Sequence, residues 1–221
     1  MKISHVRTLF PVLEKRAYMF SGGIAPASTP MLNAIEQFNG HVTNNPAGLY
    51  KHSRDDFIKA RSTYANLIGA NDDEIAITDS TGTGSNLSVE MIDLTPGGNV
   101  VFDEHSYPSA VYPWMLPPRQ HIERRFVKAR DGIVHLEDMA EAIDDNTIAV
   151  SISHVSQTTG FRHNLNAIAS LAHDHNALLL VDAMQSVGAV EIDVHEMDVD
   201  FLSTGAMKYL LGTAGVGFLY V

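Results

Sequence analysis

The chain has 221 residues, with 15 Lys and Arg against 26 Asp and Glu, so its formal net charge at neutral pH is −11. This charge argues against binding of a nucleic-acid backbone, which depends on clustered basic side chains. Hydrophobic residues make up 45% of the chain, as in a folded globular protein, and the absence of cysteine excludes disulfides, thiolate metal sites and a cysteine nucleophile within these residues.

Residues 1–20 are predicted to be a separate N-terminal segment, followed by one large domain at 21–221. The first twenty residues lack the apolar run of a signal peptide, and no stretch of about 18 apolar residues without a charge occurs in the chain. We therefore expect no membrane span, no export and a cytoplasmic location.

After this segment, short apolar or β-branched runs alternate with segments of helical periodicity, a pattern typical of βαβ units in a mostly parallel sheet. The predicted strands are Glu74–Thr78, Asn99–Phe102, Ile122–Val127, Thr147–Ser153, Ala177–Val181, Asp200–Ser203 and Val216–Val221. The predicted helices are Met31–Asn39, Arg54–Leu67, Gly84–Ile92, Leu136–Ile143 and Asn164–His175. Turn residues at 96–98, 131–132 and 144–146 separate these elements. The predicted fold class is α/β with a mostly parallel seven-stranded sheet.

Two stretches are harder to interpret. The segment Ser21–Tyr50 is rich in Gly, Pro and Asn without a clear period, which favours a loop that is mobile or is ordered by a ligand or a second subunit. The last residues, GVGFLYV, have the pattern of a strand. Either this is an edge strand at a natural terminus, or more chain belongs after Val221, and we favour the second.

Ligands of open α/β sheets bind beyond the carboxyl ends of the strands, and three polar segments follow strands here. The first is DSTGTGSN at 79–86, where small residues lead into a helix whose free N–H groups would bind an anion. It matches neither the P-loop nor GxGxxG. Judged alone, such a turn is more often a plain helix cap than a phosphate site.

The other two segments carry Asp182 and Lys208. Asp182 follows an apolar strand, where a carboxylate needs a positive or protonated partner unless it only caps the next turn. Lys208 lies between small residues and apolar runs, a place in which desolvation would make its amine nucleophilic. Together, an anion site, a buried acid and a buried lysine match one cofactor, pyridoxal 5′-phosphate (PLP), which uses all three.

The stretch from VDAMQSVG at 181–188 through Lys208 to GVGFLYV resembles the class V aminotransferases of fold type I, which include cysteine desulfurases, kynureninase and isopenicillin N epimerase-like proteins. The order Asp-x-x-Gln, Asp-Phe, Lys and Gly-x-Gly carries the resemblance. It implies a three-layer α/β/α large domain, a PLP cofactor, a small-molecule substrate that is an amino acid, and a homodimer with shared sites.

The resemblance also implies roles for individual residues. Lys208 would join the cofactor aldehyde and later carry a proton at the substrate Cα, and Asp182 would pair with the pyridinium nitrogen. Gln185 and Gln157 would lie near the cofactor hydroxyl, and Tyr107 would stack on the ring, with His105 as the second choice. The phosphate would lie near three residues of the glycine-containing turn: Thr81, Gly82 and Thr83.

The sequence departs from the family at Met207, where a side chain that donates to the phosphate is usual. Ser203, Thr204 or a partner subunit are the candidate replacements. The family's C-terminal domain, with its substrate-binding arginine, would lie beyond Val221. The expected function is therefore a PLP enzyme acting at the Cα of an amino acid, by aminotransfer, elimination or epimerisation. The alternative is a truncated or split protein of the same fold that binds or scaffolds without turnover.

Other polar and aromatic residues carry weaker signals. His173 and His175 are expected to be solvated at a helix end rather than to bind a metal. His154 is either a satisfied core histidine or a support for Asp182. Trp114 is equally consistent with the core and with an interface, and residues 44–50 with a plain loop and with a contribution to a neighbouring subunit's site.

Overall fold

A seven-stranded sheet forms the centre of the computed structural model, which describes residues 2–94 and 98–221. The strands are β1 (Ile75–Thr78), β2 (Asn99–Asp103), β3 (Glu123–Val127), β4 (Thr147–Ser153), β5 (Leu178–Asp182), β6 (Phe201–Gly205) and β7 (Gly217–Tyr220). Their order is β1-β7-β6-β5-β4-β2-β3, with β7 antiparallel to both neighbours and the other pairs parallel. All seven predicted strands are confirmed, each within two residues of its predicted bounds.

Helices cover both faces of the sheet. They are α1 (Ile3–Thr8), α2 (Thr29–Asn44), α3 (Leu49–Ile68), α4 (Thr81–Glu90), α5 (Pro108–Val111), α6 (Leu136–Ala142) and α7 (Leu165–His173). Helices α3, α6 and α7 contribute to the core on one face, and α4 and α5 to the core on the other. The three-layer α/β/α architecture is therefore confirmed. Among the described residues, no helix combines the length and apolar character needed to cross a bilayer.

Most of the segment Ser21–Tyr50 is helical, so the expectation of a loop over its whole length was wrong, while the helix predicted at Met31–Asn39 is confirmed within α2. The Ser28 side chain accepts a hydrogen bond from the Met31 N–H at 3.3 Å, and Pro30 lies in the first turn, two features that start a helix. Residues 44–50, for which the sequence leaves open a plain loop and a contribution to a neighbouring subunit's site, comprise the end of α2, a 3₁₀ turn at Pro46–Gly48 and the start of α3.

Helix α4 begins three residues earlier than predicted, so the glycine-containing turn is its first turn. The Ser80 hydroxyl oxygen accepts the Thr83 N–H at 3.1 Å and caps the helix. Thr and Gly are poor helix formers, which is why the sequence pattern placed the start at Gly84. The cap compensates for that low propensity.

The predicted turn at 131–132 is a tight hairpin. Asp131 and Gly132 both have positive φ, 54° and 77°. Arg130 and Ile133 exchange both backbone hydrogen bonds around them, at 2.8 and 3.0 Å. This is the geometry for which an Asp-Gly pair is favoured. Of the predicted turn at 96–98, residues 96 and 97 lie outside the described residues.

Alternation along the central strands places polar residues on one face. Leu179 and Val181 of β5 pack in the core with α7, whereas Leu180 packs in the core beneath α4 and α5. Because successive strand side chains point to opposite faces, Asp182 shares the face of Leu180. The acid therefore lies under α4 and α5, on the side where the polar residues collect.

Candidate active site

The three polar segments predicted from the sequence lie at one edge of the sheet. Strands β5 and β6 are parallel, and β1 runs in the same direction as β6 because both are antiparallel to β7. Their carboxyl ends therefore share an edge, the usual ligand-binding edge of an open α/β sheet. The fold brings Asp182, Lys208 and the start of α4 to this edge.

Asp182 is the last residue of β5 and is 4% exposed. Its Oδ1 accepts the Met184 N–H at 2.9 Å, and its Oδ2 accepts the Ser109 hydroxyl. Burial raises the pKa of this carboxyl, while Ser109, Met184 and the charge of Lys208 act in the opposite direction. A protonated group facing Asp182 would stabilise its ionised form.

Lys208 follows β6 and is 6% exposed. Its Nζ lies 5.7 Å from the centroid of the Tyr107 ring. Burial lowers the pKa of Lys208, and the nearby Asp182 carboxylate only partly opposes this. The neutral, nucleophilic amine is thus more abundant at a given pH than for an exposed lysine.

The first turn of α4 offers backbone donors. Ser80 occupies two N–H groups, that of Thr83 with its hydroxyl and that of Gly84 with its carbonyl oxygen at 3.1 Å. Within the described part of the chain, the N–H groups of Thr81 and Gly82 have no backbone partner. A Cβ added to Gly82 would meet only the Ser80 Oγ, at 3.8 Å, so space is open above this turn. The segment is both a helix cap and a place where an anion fits.

The hydroxyls expected to replace the missing donor at Met207 already have partners. Ser203 Oγ lies 2.8 Å from Ser85 Oγ in a buried pair. The Thr204 hydroxyl is buried and lies 3.4 Å from the carbonyl oxygens of Ala183 and Gly205. A role for either hydroxyl at the phosphate stays a prediction.

The two residues predicted to lie near the cofactor hydroxyl line the same cleft. Gln157 and Gln185 both border a cleft of about 370 Å³, together with Tyr209. The Gln185 Nε2 donates to the Gly22 carbonyl oxygen at 3.0 Å. The Ala25 N–H donates to the Met207 carbonyl oxygen at 2.8 Å, so the chain just before α2 lies against this edge of the sheet.

The two candidates for ring stacking are placed differently. The Tyr107 ring is 46% exposed and faces Lys208. His105 is half-buried, and its Nε2 is buried without a hydrogen-bond partner among the described residues. Tyr107 is the favoured candidate for ring stacking because its ring lies opposite Lys208.

Sequence reasoning missed two residues that contact the site. Ser109 donates to Asp182 from a helix 73 residues away, and the thioether of Met184 accepts the Gly205 N–H at 3.2 Å. A Cβ on Gly205 would lie 3.1 Å from the Met184 sulfur and 3.3 Å from Thr81 Oγ1, so this glycine permits β6 to approach α4. Only the topology reveals these contacts.

Some secondary expectations need correction. His154 is buried but not satisfied, because its Nδ1 has no partner among the described residues, while its backbone N–H donates to the Asp182 carbonyl oxygen at 2.9 Å. His173 and His175 are not merely solvated, because both pair with carboxylates. Trp114 lies in the core, and residues 2–94 and 98–221 contain no cluster suited to a metal ion.

The comparison with known families agrees with this geometry. The model of the family Aminotransferase class-V matches residues 17–221. The chain belongs to this family. A probable cysteine desulfurase of Methanothermobacter thermautotrophicus is 31% identical over 225 residues, and the uncharacterized aminotransferase YcbU of Bacillus subtilis is 31% identical over 215. The two matches cover 100% and 97% of this class V chain, but only 56% and 57% of the length of the relatives.

Solved structures share the fold. The match to the apo cysteine desulfurase of Thermococcus onnurineus NA1 covers all of this class V chain and 57% of that structure's chain, with a TM-score of 0.89 at 24% identity. A second match is to a lysine-to-alanine variant of C-DES with glycine covalently linked to its PLP cofactor. This match covers 97% of the present chain and 59% of the C-DES chain, with a TM-score of 0.90 at 25% identity.

The described residues fit PLP on their own chemistry. The buried Asp182 carboxylate lacks a directly bonded cation, which a pyridinium N–H would supply. The two free N–H groups of α4 and the space above Gly82 suit a phosphate, and the exposed Tyr107 ring offers a stacking surface. Lys208 supplies the amine that an aldehyde requires.

Proposed function

We propose that this chain holds PLP at Lys208 and forms the cofactor domain of an enzyme that acts at the Cα of an amino acid. The observation that carries the proposal is the placement of two buried groups, the Lys208 amine and the Asp182 carboxylate, beside the Tyr107 ring and the first turn of α4. PLP, when bound, supplies an aldehyde for primary amines and a protonated ring that withdraws electrons from the Cα.

Lys208 provides the amine. Its lowered pKa leaves more of the amine neutral near pH 7, which is the form able to attack a carbonyl carbon. With its amine free, the same side chain would remove or return a proton at the Cα of a bound amino acid. Its burial excludes water from that proton transfer.

The Asp182 carboxylate would stabilise a proton on the ring nitrogen of bound PLP. The Ser109 hydroxyl and the Met184 N–H fix both carboxylate oxygens, so the acid is oriented before any ligand arrives. Preorganised donors of this kind avoid the cost of reorienting dipoles during the reaction. Thr81, Gly82 and Thr83 form the phosphate end of the site, with the N–H groups of the first two as donors.

The finer activity, whether transfer of an amino group, elimination including C–S cleavage, or epimerisation, depends on groups that contact the substrate. All of these reactions cleave a bond at the Cα, and they differ in the fate of the resulting carbanion. The relatives named above include both desulfurases and an aminotransferase, which supports the common step and leaves the branch to experiment.

We also infer a homodimer. The helix α2 has no buried residue, although its apolar side chains recur at helical spacing on one face. Leu32, Ile35 and Phe38 are 46%, 39% and 48% exposed. Such a stripe is unfavourable in water, and a second copy of the chain would bury it in an isologous contact.

The experiment that tests the cofactor proposal is a titration of the purified chain with PLP, followed by borohydride reduction and peptide mass mapping. A cofactor adduct on Lys208 is the expected result. Lys208→Ala should abolish the adduct, and Lys128→Ala, at a lysine whose side chain is 78% exposed, is the matched control that should retain it.

An adduct that persists in Lys208→Ala, or that maps to another lysine, would contradict the assignment. A chain that is folded by circular dichroism and forms no adduct would favour the alternative of a binding or scaffold component. Proton exchange at the Cα of a panel of amino acids in D₂O then identifies which substrates the loaded chain activates.

A further inference from the structure

A buried histidine–aspartate hydrogen bond lies beside the loop that carries Tyr107. His163 Nε2 is 3.2 Å from Asp103 Oδ2, and these side chains are 5% and 2% exposed. Asp103 is the last residue of β2, and His163 precedes α7, with its backbone N–H bonded to the His154 carbonyl oxygen at 3.0 Å. Neither residue has a place in the proposed chemistry.

The carboxylate of Asp103 organises the residues after it. Its Oδ1 accepts the His105 N–H at 2.6 Å, and its Oδ2 accepts the Ser106 hydroxyl at 2.8 Å. The next residue, Tyr107, donates its backbone N–H to Ser153 Oγ at 2.9 Å, at the end of β4. The loop 103–107 is thus held by one buried carboxylate and one buried hydroxyl.

His163 is what permits that carboxylate to remain charged inside the protein. Burial alone would raise the pKa of Asp103, but the hydrogen bond and charge of His163, with Ser106 and the His105 N–H, lower it. Since an ionised carboxylate only accepts hydrogen bonds, the His163 ring donates through Nε2. The His163 ring also packs edge-to-face against the Phe161 ring, with 5.0 Å between the centroids and 79° between the planes. This contact restricts rotation of the His163 ring.

A second tie holds the same loop from the protein surface. Glu104 Oε1 accepts the Ala129 N–H at 2.7 Å, and Glu104 Oε2 lies 3.1 Å from Lys128 Nζ. The Lys128 side chain is 78% exposed, so this ion pair is weak. The buried pair therefore carries most of the constraint on the orientation of the loop.

We propose that Asp103 and His163 are positioning residues that hold the Tyr107 ring opposite Lys208, so that the packing around the start of α7 sets how tightly the cofactor ring is stacked. This inference rests on the proposed PLP function. It adds two residues that touch neither the cofactor nor the substrate.

The test compares His163→Leu, which removes the donor, with His163→Gln, whose amide nitrogen can replace Nε2. PLP affinity of the chain should fall about threefold to tenfold in His163→Leu, the size of a lost aromatic stack, and should recover in His163→Gln. His173→Leu, which breaks a histidine–carboxylate pair away from this loop, should leave PLP affinity unchanged.

A double-mutant cycle separates positioning from general destabilisation. Adding Tyr107→Ala to His163→Leu should cause a loss smaller than the sum of the two single losses, because both changes remove the same stack. Losses that add, or an equal loss in His173→Leu, would overturn the proposal. If His163→Leu does not fold, Ser106→Ala replaces it in the same cycle, since it removes a donor to Asp103 without leaving a buried charge unpaired.

Hydrogen–deuterium exchange of the cofactor-free chain provides a readout that does not depend on PLP. The peptide covering residues 103–109 should exchange faster in His163→Leu than in the unmodified chain and His173→Leu. Unchanged exchange in that peptide would refute the positioning role. If the unmodified chain forms no adduct at Lys208, the cofactor proposal fails, and the exchange data still decide whether the pair holds the loop.

Discussion

The Ser109 hydroxyl donates to Asp182 Oδ2, which links the helix after β2 to the end of β5. The hydrogen bond fixes the rotation of a buried carboxylate that would otherwise be held by the Met184 N–H alone. In the proposed site, where Asp182 would pair with the ring nitrogen of PLP, Ser109 would set the orientation of that carboxylate.

Ser109→Ala should lower the rate of Cα-proton exchange by about tenfold, the effect of losing one hydrogen bond to a charged group, with a smaller change in PLP affinity. Ser109→Thr keeps the hydroxyl and should retain most of the rate. The control is Ser170→Ala on α7, whose hydroxyl only bonds the Asn166 carbonyl oxygen. Equal rates in Ser109→Ala and the unmodified chain would contradict this role.

Asp182→Asn should retain bound cofactor while Cα-proton exchange falls about a hundredfold or more, because the amide cannot stabilise a protonated ring nitrogen. The measurement is deuterium incorporation into an amino acid that the loaded chain activates. Near-normal exchange would remove Asp182 from the role. Asp200→Asn is a suitable comparison, since Asp200 accepts the Leu179 N–H and pairs with His173 instead.

Tyr107→Ala should weaken PLP affinity by about 0.5–1.5 kcal/mol beyond the effect of the lost surface area, the value of an aromatic stack. Tyr107→Phe should keep the affinity, because the ring and not the hydroxyl makes the contact. His105→Ala is the competing variant. A loss confined to His105→Ala would transfer the stacking role to that residue.

The homodimer is tested by charge on the exposed face of α2. Phe38→Glu should convert the dimer into a monomer in light scattering, since it places a carboxylate within the apolar stripe. Gln37→Glu adds the same charge on the neighbouring residue and should remain dimeric. A chain that is monomeric before any substitution would exclude this contact.

His173 predicts how stability depends on pH. Its two ring nitrogens lie 3.0 Å from an Asp198 oxygen and 2.9 Å from an Asp200 oxygen, so both contacts favour the protonated ring, in which both nitrogens donate. Burial lowers the pKa of His173, but these carboxylates outweigh that effect and raise it overall.

Because the folded pKa is the higher one, the stabilisation is complete below about pH 6.5 and is lost as the pH rises through the folded value. His173→Gln should remove this part of the pH dependence. The expected effect is below ~1 kcal/mol, or about 2 °C in Tm, since both partners contact solvent. His175→Gln is the control, and an unchanged pH profile in His173→Gln would refute the assignment.

The sequence was sufficient to predict the sheet and the residue types brought together at the candidate site, and insufficient to predict the contacts between them. Apolar β-branched runs such as Thr147–Ser153 identify strands because both faces of a parallel sheet are buried. The start of α4 was missed because a serine cap, and not helix propensity, determines it. Ser109 was not recognised as a partner of Asp182, since pairing across 73 residues depends on topology.

The position of β1 in the sheet has a consequence for how the chain folds during synthesis. Its only strand partner is β7, with Ile75 opposite Tyr220, so β1 cannot join the sheet until the ribosome has released the residues of β7. Contacts so distant in sequence form slowly. The first turn of α4 directly follows β1, so the strand that leads into the candidate anion site can pair only after the last strand of the sheet has been synthesised.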